Sequence, residues 1–226
     1  MSLPELREIP AARRCLLHVC CAPDAVVPFR DMKAEGWEII GYFYGSNIHP
    51  EDEFCRRAAA LGFLARSEGI EVFARPYNPE EWFARASVLA AEPERGARCT
   101  LCFEMQLRAA AEEGRRRGAT HLGTTLSISP RKDAALISRL GREIGAAYGL
   151  TWDDRVWRKN DGFLRSLRIG RELGLYRQNY CGCLYSKPEQ KTGPVSRNQK
   201  IKGECLSCPN IIPSGNCLPT FSKAKF

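Results

Sequence analysis

The sequence has no long apolar segment and no targeting segment of a familiar kind. No apolar run in its 226 residues approaches the ~20 residues that a membrane-spanning helix needs. The N-terminal stretch MSLPELREIPAARR also lacks the apolar core of a signal peptide. These absences predict a cytoplasmic protein with no membrane partner. In that reducing compartment its 11 cysteines are expected to serve metal or redox chemistry, since an odd number fits a disulfide framework poorly.

Two nucleotide-binding signatures are missing as well. There is no GxGxxG motif, so nothing indicates a flavin or nicotinamide site. After the first predicted strand the chain reads CCAPDA, which contains no glycine. ATP-dependent PP-loop enzymes place a glycine- and serine-rich loop there, because its backbone N–H groups hold pyrophosphate. The sequence therefore argues against an enzyme that activates its substrate with ATP.

Three close pairs of cysteines stand out against these absences: Cys20 and Cys21, Cys99 and Cys102, and Cys181 and Cys183. Soluble proteins seldom retain unused thiol pairs, and soft sulfur ligands favour iron–sulfur clusters or zinc. The pairs therefore predict one convergent metal site. Four thiolates satisfy a [4Fe–4S] cluster, which leaves two for a second metal.

Asp24 follows Cys21 by three residues and offers a hard oxygen ligand. Two thiolates and one carboxylate would leave a mononuclear iron with an open position, as a reacting metal requires. The alternative is that Asp24 caps the helix predicted after Pro23. Residue type alone leaves both interpretations open.

Strand-like and helix-like segments alternate along the first two-thirds of the chain. The apolar runs CLLHVC, WEIIGYFYG, IEVFARPY and ATHLGTTL are typical of buried parallel strands. Helices are predicted after Pro23 and over about 50–69, 101–118 and 132–148. This alternation predicts a three-layer, Rossmann-like α/β fold, a mostly parallel sheet with helices on both faces. We assign it to residues 1–192 and expect 193–226 to be an irregular, basic, cysteine-containing tail.

Ligands of such folds bind beyond the carboxyl ends of the strands. Cys20 and Cys21 follow the first predicted strand, residues 44–47 the second, and Thr124 and Thr125 the fourth. We expect these residues to share one rim. His18 lies within the first strand, where a packed core histidine is the expected role.

Positive charge is concentrated late in the chain. Residues 155–226 contain 14 Lys and Arg against 4 Asp and Glu, whereas residues 1–154 contain 20 against 22. A basic third on a near-neutral body predicts a polyanionic partner, with nucleic acid first, the alternative being a solvated tail without a partner. The candidates for phosphate contacts are Arg155, Arg158, Lys159, Arg165, Arg168 and Arg177, with Arg131 and Lys132 at the rim.

A further cysteine group lies in the basic tail, where Cys205, Cys208 and Cys217 are spaced C-x2-C-x8-C. No histidine follows residue 121, so a fourth ligand would have to come from elsewhere. A zinc knuckle completed by a remote or exogenous ligand and the absence of any metal both stay open.

Over residues 15–186 the chain resembles the QueH-type epoxyqueuosine reductases. Five stretches carry the resemblance by their order and spacing: LLHVCCAPD, YFYGSNIHPEDEF, RCTLCFEMQLRAAAEEG, TTLSISPRKD and ELGLYRQNYCGCLYS. The resemblance implies a fold related to the PP-loop and adenine-nucleotide hydrolase group. It implies reduction of epoxyqueuosine to queuosine at the wobble position of tRNA. It also implies a [4Fe–4S] cluster beside a second, mononuclear iron held by two cysteines and an aspartate. Carried over, the metal ligands are Cys20, Cys21, Asp24, Cys99, Cys102, Cys181 and Cys183, the first three being catalytic.

Many relatives have a cysteine at the position of Asp24, which leaves a neighbouring acid as an alternative ligand. Because adjacent residues of an extended chain point to opposite sides, we expect Cys20 and Cys21 to divide between the two centres. tRNA is the expected partner, with an external electron donor such as a ferredoxin. The residues expected to bind substrate are Tyr44, Asn47, Thr124, Thr125, Arg131, Lys132, Arg158, Tyr176 and Gln178.

Two other functions compete with this interpretation. A zinc-stapled RNA-binding module would account for the basic third and the cysteine pairs. A cluster-binding redox subunit would account for the adjacent cysteines together with the CxxC pair.

Overall fold

A computed structural model describes residues 13–187 and the two-residue strand Ile212–Pro213. Strands and helices alternate along the chain, which confirms the predicted α/β class. The strands are β1 (Arg14–Val19), β2 (Glu38–Phe43), β3 (Glu71–Ala74), β4 (His121–Thr124), β5 (Thr151–Trp152) and β6 (Ile212–Pro213). The helices are α1 (Ala22–Ala34), α2 (Glu51–Glu68), α3 (Pro79–Ala86), α4 (Ala97–Arg116), α5 (Ala134–Ala147) and α6 (Gly162–Glu172).

The strands form one parallel sheet in the order β5-β4-β1-β2-β3-β6. Alternate residues of β1 enter different cores: Leu17 and Val19 pack beneath α1 and α2, and Leu16 packs against α4 and α5. Helix α6 packs on α1, on the same face of the sheet. The sheet is therefore covered on both faces, and the three predicted layers are confirmed.

The structure corrects several details of the prediction. Helix α4 begins at Ala97, four residues before its predicted start, so Cys99 and Cys102 lie on its first turns. Helices α3 and α6 and strand β5 were not predicted, because each is short and half-exposed.

Two residues of the predicted irregular tail, Ile212–Pro213, extend the sheet beside β3. Cys205, Cys208 and Cys217, and the predicted boundary at residue 192, lie outside the described residues. In the part of the chain that the structure covers, every helix is too short or too polar to cross a bilayer.

The parallel arrangement brings the carboxyl ends of β1, β2 and β4 to one edge of the sheet. Helices α1 and α4 begin at the same edge, one directly after Cys21 and the other just before Cys99. The segments that carry Cys20, Cys21, Cys99 and Cys102 therefore begin or end there.

Candidate metal centre and substrate cavity

A cavity of about 580 Å³ opens at this edge of the sheet. Five of the six paired cysteines line it: Cys20, Cys99, Cys102, Cys181 and Cys183. The sixth, Cys21, is buried directly behind the wall. The fold thus gathers thiols from β1, α4 and the segment after α6 around one space.

Cys20, Cys21 and Asp24 form the tightest group of candidate ligands in the described residues. The two Sγ atoms and a carboxylate oxygen all lie within 4.8 Å of one another. The Cys20 thiol donates to Asp24 Oδ2 at 3.4 Å. Three such atoms at this separation could reach one metal ion.

This geometry overturns the expectation that Cys20 and Cys21 point to opposite sides. The strand ends at Val19, and the chain bends at Cys20 before entering α1. Cys21 is the extended N-cap residue of that helix, so the alternation of a straight strand no longer applies. Both thiols therefore turn toward Asp24.

Asp24 does not cap α1. It lies within the first turn, the N-cap position belongs to Cys21, and no side chain caps the helix there. Burial raises the pKa of the Asp24 carboxyl, although hydrogen bonding from Cys20 and the charge of Lys132 partly offset the effect. A buried carboxyl that faces two thiols suits a cation, because a bound cation stabilises all three anionic forms.

The thiol of Cys20 is also held in its protonated form. Hydrogen bonding with Cys21, burial and the charge of Asp24 all raise the pKa of Cys20. Metal binding by such a group therefore releases protons.

Cys99 and Cys102 are three residues apart on α4, a spacing that places both on one helix face. Burial raises the pKa of the Cys102 thiol to about 12, and the nearby charges of Cys181 and Cys183 act in the same direction. Cys99 is affected by the same two thiols. The charges of Cys181 and Cys183 therefore act on both thiols of α4.

The ammonium of Lys132 lies among these sulfur atoms. Its Nζ donates to Cys181 Sγ at 2.6 Å. Although burial opposes the charged form, the thiols of Cys181, Cys20 and Cys102 raise the pKa of Lys132. The half-buried Lys132 ammonium is thus stabilised by sulfur atoms of the same donor set.

A buried ion pair on α2 holds the segment that carries Cys181 and Cys183. Arg57 Nε donates to Glu53 Oε1 at 2.7 Å, and each side chain is only 1% exposed. The same guanidinium donates to the carbonyl oxygens of Cys181 at 2.8 Å and Tyr180 at 3.1 Å. The backbone N–H of His49 donates to Gly182 O at 2.8 Å. The sequence pattern did not predict this anchor, because the sequence does not distinguish a buried charged residue from an exposed one.

Four of the predicted substrate residues line the cavity: Asn47, Arg131, Lys132 and Gln178. Thr125 lies behind them, with Oγ1 3.8 Å from Cys20 Sγ. The side-chain oxygen of Gln178 is buried without a hydrogen-bond partner in the described residues. A ligand in the cavity could supply that partner.

The other four predicted substrate residues contact the protein itself. Thr124 bonds the ring of His18, and Tyr44 is buried beneath the Arg75 guanidinium. Tyr176 donates from its hydroxyl to a carboxylate oxygen of Glu53 at 2.6 Å. Arg158 donates to the carbonyl oxygens of Ser129 and Lys132. A position at a strand end therefore did not guarantee access to the cavity.

Two of the predicted phosphate contacts are already engaged. Arg165 forms a bidentate pair with Asp31 at 2.6 and 2.9 Å, and Arg155 pairs with Asp153 and Glu35. Arg177, in contrast, is exposed and lines the cavity, with its guanidinium over the ring of Phe163.

Several cavity residues were not predicted. They include Trp82 from α3, Phe103 and Gln106 from α4, and Phe163 from α6. Gln106 follows Cys102 by four residues, and that spacing on a helix was the available signal. The residues from α3 and α6 could not be found without those helices.

Comparison with known proteins identifies the family. The family model described as "Epoxyqueuosine reductase QueH" matches residues 15–189. A protein of that name from Haemophilus influenzae is 36% identical over 202 residues, covering 88% of this chain and 82% of the relative. One from Thermotoga maritima is 33% identical over 189 residues, with 81% and 96% covered. One from Staphylococcus aureus is 33% identical over 197 residues, with 84% and 82% covered. With a matching family model over most of its length and relatives above 30% identity, this chain belongs to the epoxyqueuosine reductase QueH family.

Proposed function

We propose that this protein reduces epoxyqueuosine in tRNA to queuosine. Three cysteine pairs converge on one cavity, and the Cys20, Cys21 and Asp24 group carries the proposal. Removal of the epoxide oxygen to leave an alkene consumes two electrons and two protons and releases water. The site must therefore hold an electron carrier, a group that binds oxygen, and proton donors.

The donor sets support one division of the ligands between two metals. Cys20, Cys21 and Asp24 would bind a mononuclear iron, since two thiolates and a carboxylate leave positions open. The other four thiolates, from Cys99, Cys102, Cys181 and Cys183, suit a [4Fe–4S] cluster. When bound, the cluster supplies electrons singly and the iron supplies a Lewis acid.

The protein's own groups would orient the substrate and deliver hydrogen bonds. Lys132 Nζ lies between the two ligand sets and can donate to an oxygen placed there. Asn47 and Gln178 present side-chain amides to the cavity, which suit the hydroxyl groups and base edge of a modified nucleoside. The rings of Phe103 and Phe163 form an apolar part of the cavity wall.

Arg131 and Arg177 are exposed at the cavity and would contact phosphates that flank the base. A wobble base lies in a single-stranded loop, so it can be splayed into a cavity of this size. Electrons would come from an external donor such as a ferredoxin. Because tRNA is the substrate, the reaction belongs in the cytoplasm.

The direct test is nucleoside mass analysis of tRNA that contains epoxyqueuosine, after anaerobic incubation with iron-reconstituted protein and a chemical reductant. Wild-type protein should remove one oxygen atom from the nucleoside, and Cys181→Ala should not. Cys15→Ala is the matched control, because Cys15 is a free, fully buried thiol of β1 that does not line the cavity. This variant should retain turnover.

An unchanged nucleoside, with bound iron confirmed, would overturn the proposal. Colourless protein that binds zinc and RNA would instead favour an RNA-binding module.

A further inference from the structure

A hydrogen bond to one proposed metal ligand comes from a residue that the reaction itself does not require. Gln106 Nε2 lies 3.1 Å from Cys102 Sγ and 2.9 Å from the carbonyl oxygen of Cys102. A carbonyl oxygen only accepts, so the amide presents its NH2 group to Cys102. Its two hydrogens can therefore reach the carbonyl oxygen and the sulfur.

The helix does not need this side chain for its own hydrogen bonding. In an α-helix the carbonyl of Cys102 already accepts the backbone N–H of Gln106. The amide is nevertheless only 3% exposed, on a helix that otherwise buries mostly apolar side chains. Burial of an amide costs free energy unless the amide forms hydrogen bonds. Its contact with the sulfur atom therefore suggests a function.

We propose that Gln106 is a positioning residue that donates an N–H···S hydrogen bond to Cys102 and thereby raises the reduction potential of the metal centre held there. Reduction adds negative charge to the metal and its sulfur ligands, and a donor to sulfur stabilises that charge. The inference rests on the proposed function, because it requires a redox-active metal bound at Cys102.

The test is a reductive titration of the anaerobically reconstituted protein in the presence of mediator dyes. At the potential where the wild type is half-reduced, Gln106→Met should lower the ratio of reduced to oxidised centre about tenfold. This equals a shift of about 59 mV for one electron. Gln106→Glu should lower the ratio further, because a carboxylate removes the donor and adds a negative charge.

Met105→Leu is the matched control. Met105 is buried beside the same cysteine but offers no N–H group, so this variant should keep the wild-type potential. Equal potentials for Gln106→Met and wild type, at equal metal content, would overturn the inference. If Gln106→Met does not fold, the isosteric Gln106→Glu decides the same question.

The two proposals fail separately. A shifted potential in Gln106→Met beside an unchanged epoxyqueuosine nucleoside in the wild type would support the inference and overturn the function. An unshifted potential in Gln106→Met, beside an active wild-type enzyme, would support the function and overturn the inference.

Discussion

Lys132 carries a half-buried positive charge among sulfur atoms, where a hydrogen-bond donor acts with less competition from water than on the open surface. We expect Lys132→Met to lower the single-turnover rate of epoxide reduction by about 10²–10³-fold, the usual effect of removing one such donor. Rapid-quench sampling of the nucleoside would measure this rate.

Arg131→Met is the control for that experiment, since Arg131 is the exposed neighbour in the same loop. It should weaken tRNA binding and leave the single-turnover rate at saturating tRNA close to the wild-type value. Equal losses of rate in both variants would mean that Lys132 only maintains the loop.

Individual residues were predicted best where their surroundings follow from the strand pattern. His18 and Cys15 lie within β1, and both are completely buried core residues, as expected for the histidine. The chemical neighbours of Thr124 and Tyr44 were less predictable. Their positions at strand ends fix the rim but not the face of the sheet on which a side chain lies. The orientation of Cys20 and Cys21 depended on a bend that no residue pattern specified.

Helix α2 acts as the support for the cysteines after α6. We expect Arg57→Met to lower the free energy of unfolding by about 3–5 kcal/mol, because the variant leaves the buried Glu53 carboxylate without its partner. Urea denaturation of the metal-free protein would measure the loss.

Arg66→Met provides the comparison on the same helix. Arg66 is exposed on the last turn of α2, so its replacement should change the free energy of unfolding by no more than about 0.5 kcal/mol. Similar losses in the two variants would show that the ion pair contributes no more than a surface charge.

Helix α5 begins directly after Lys132, and Asp133 caps it. The Asp133 carboxylate accepts the backbone N–H of Leu136 at 3.1 Å. Asp133→Ala should cost about 1 kcal/mol of stability, and Asp133→Ser should recover most of that loss, since serine also caps. Thermal unfolding followed by circular dichroism would distinguish them; equal melting temperatures for both variants would contradict the capping role.

Among the helices, those with a clear terminal residue in the sequence were predicted best. Helix α2 was expected over about 50–69, and the structure ends it at Gly69, which adopts the left-handed conformation that favours glycine. Helix α6 has a different kind of start, since Asn160 and Asp161 both have positive φ angles before it. Such a turn carries no strong sequence signal, and the helix that follows exposes Leu164.

Only some of the exposed arginine side chains of the described residues lie at the cavity. Arg177 and Arg131 lie at the cavity, whereas Arg115 lies on the last turn of α4, at the far end of a 20-residue helix that begins at the cavity. Replacing Arg177 or Arg131 with alanine should reduce the slope of log affinity for tRNA against log salt by about 1.

Arg115→Ala is matched to those variants in charge and exposure, and it should leave the salt slope unchanged. Filter binding over a range of salt concentrations would measure all three. Equal slopes for Arg177→Ala, Arg131→Ala and the wild type would place the tRNA on another surface.

The hydrogen bonds that anchor the segment after α6 join residues 123 to 135 positions apart in the chain. During synthesis, the roughly 80 residues between Cys102 and Cys183 take about 4–16 s to add, at about 5–20 residues per second. Throughout that interval the earlier thiols have been made but their partners have not. The order of synthesis therefore delays a complete set of ligands until β1 to β5 have been made, so we expect iron to be inserted only after these five strands.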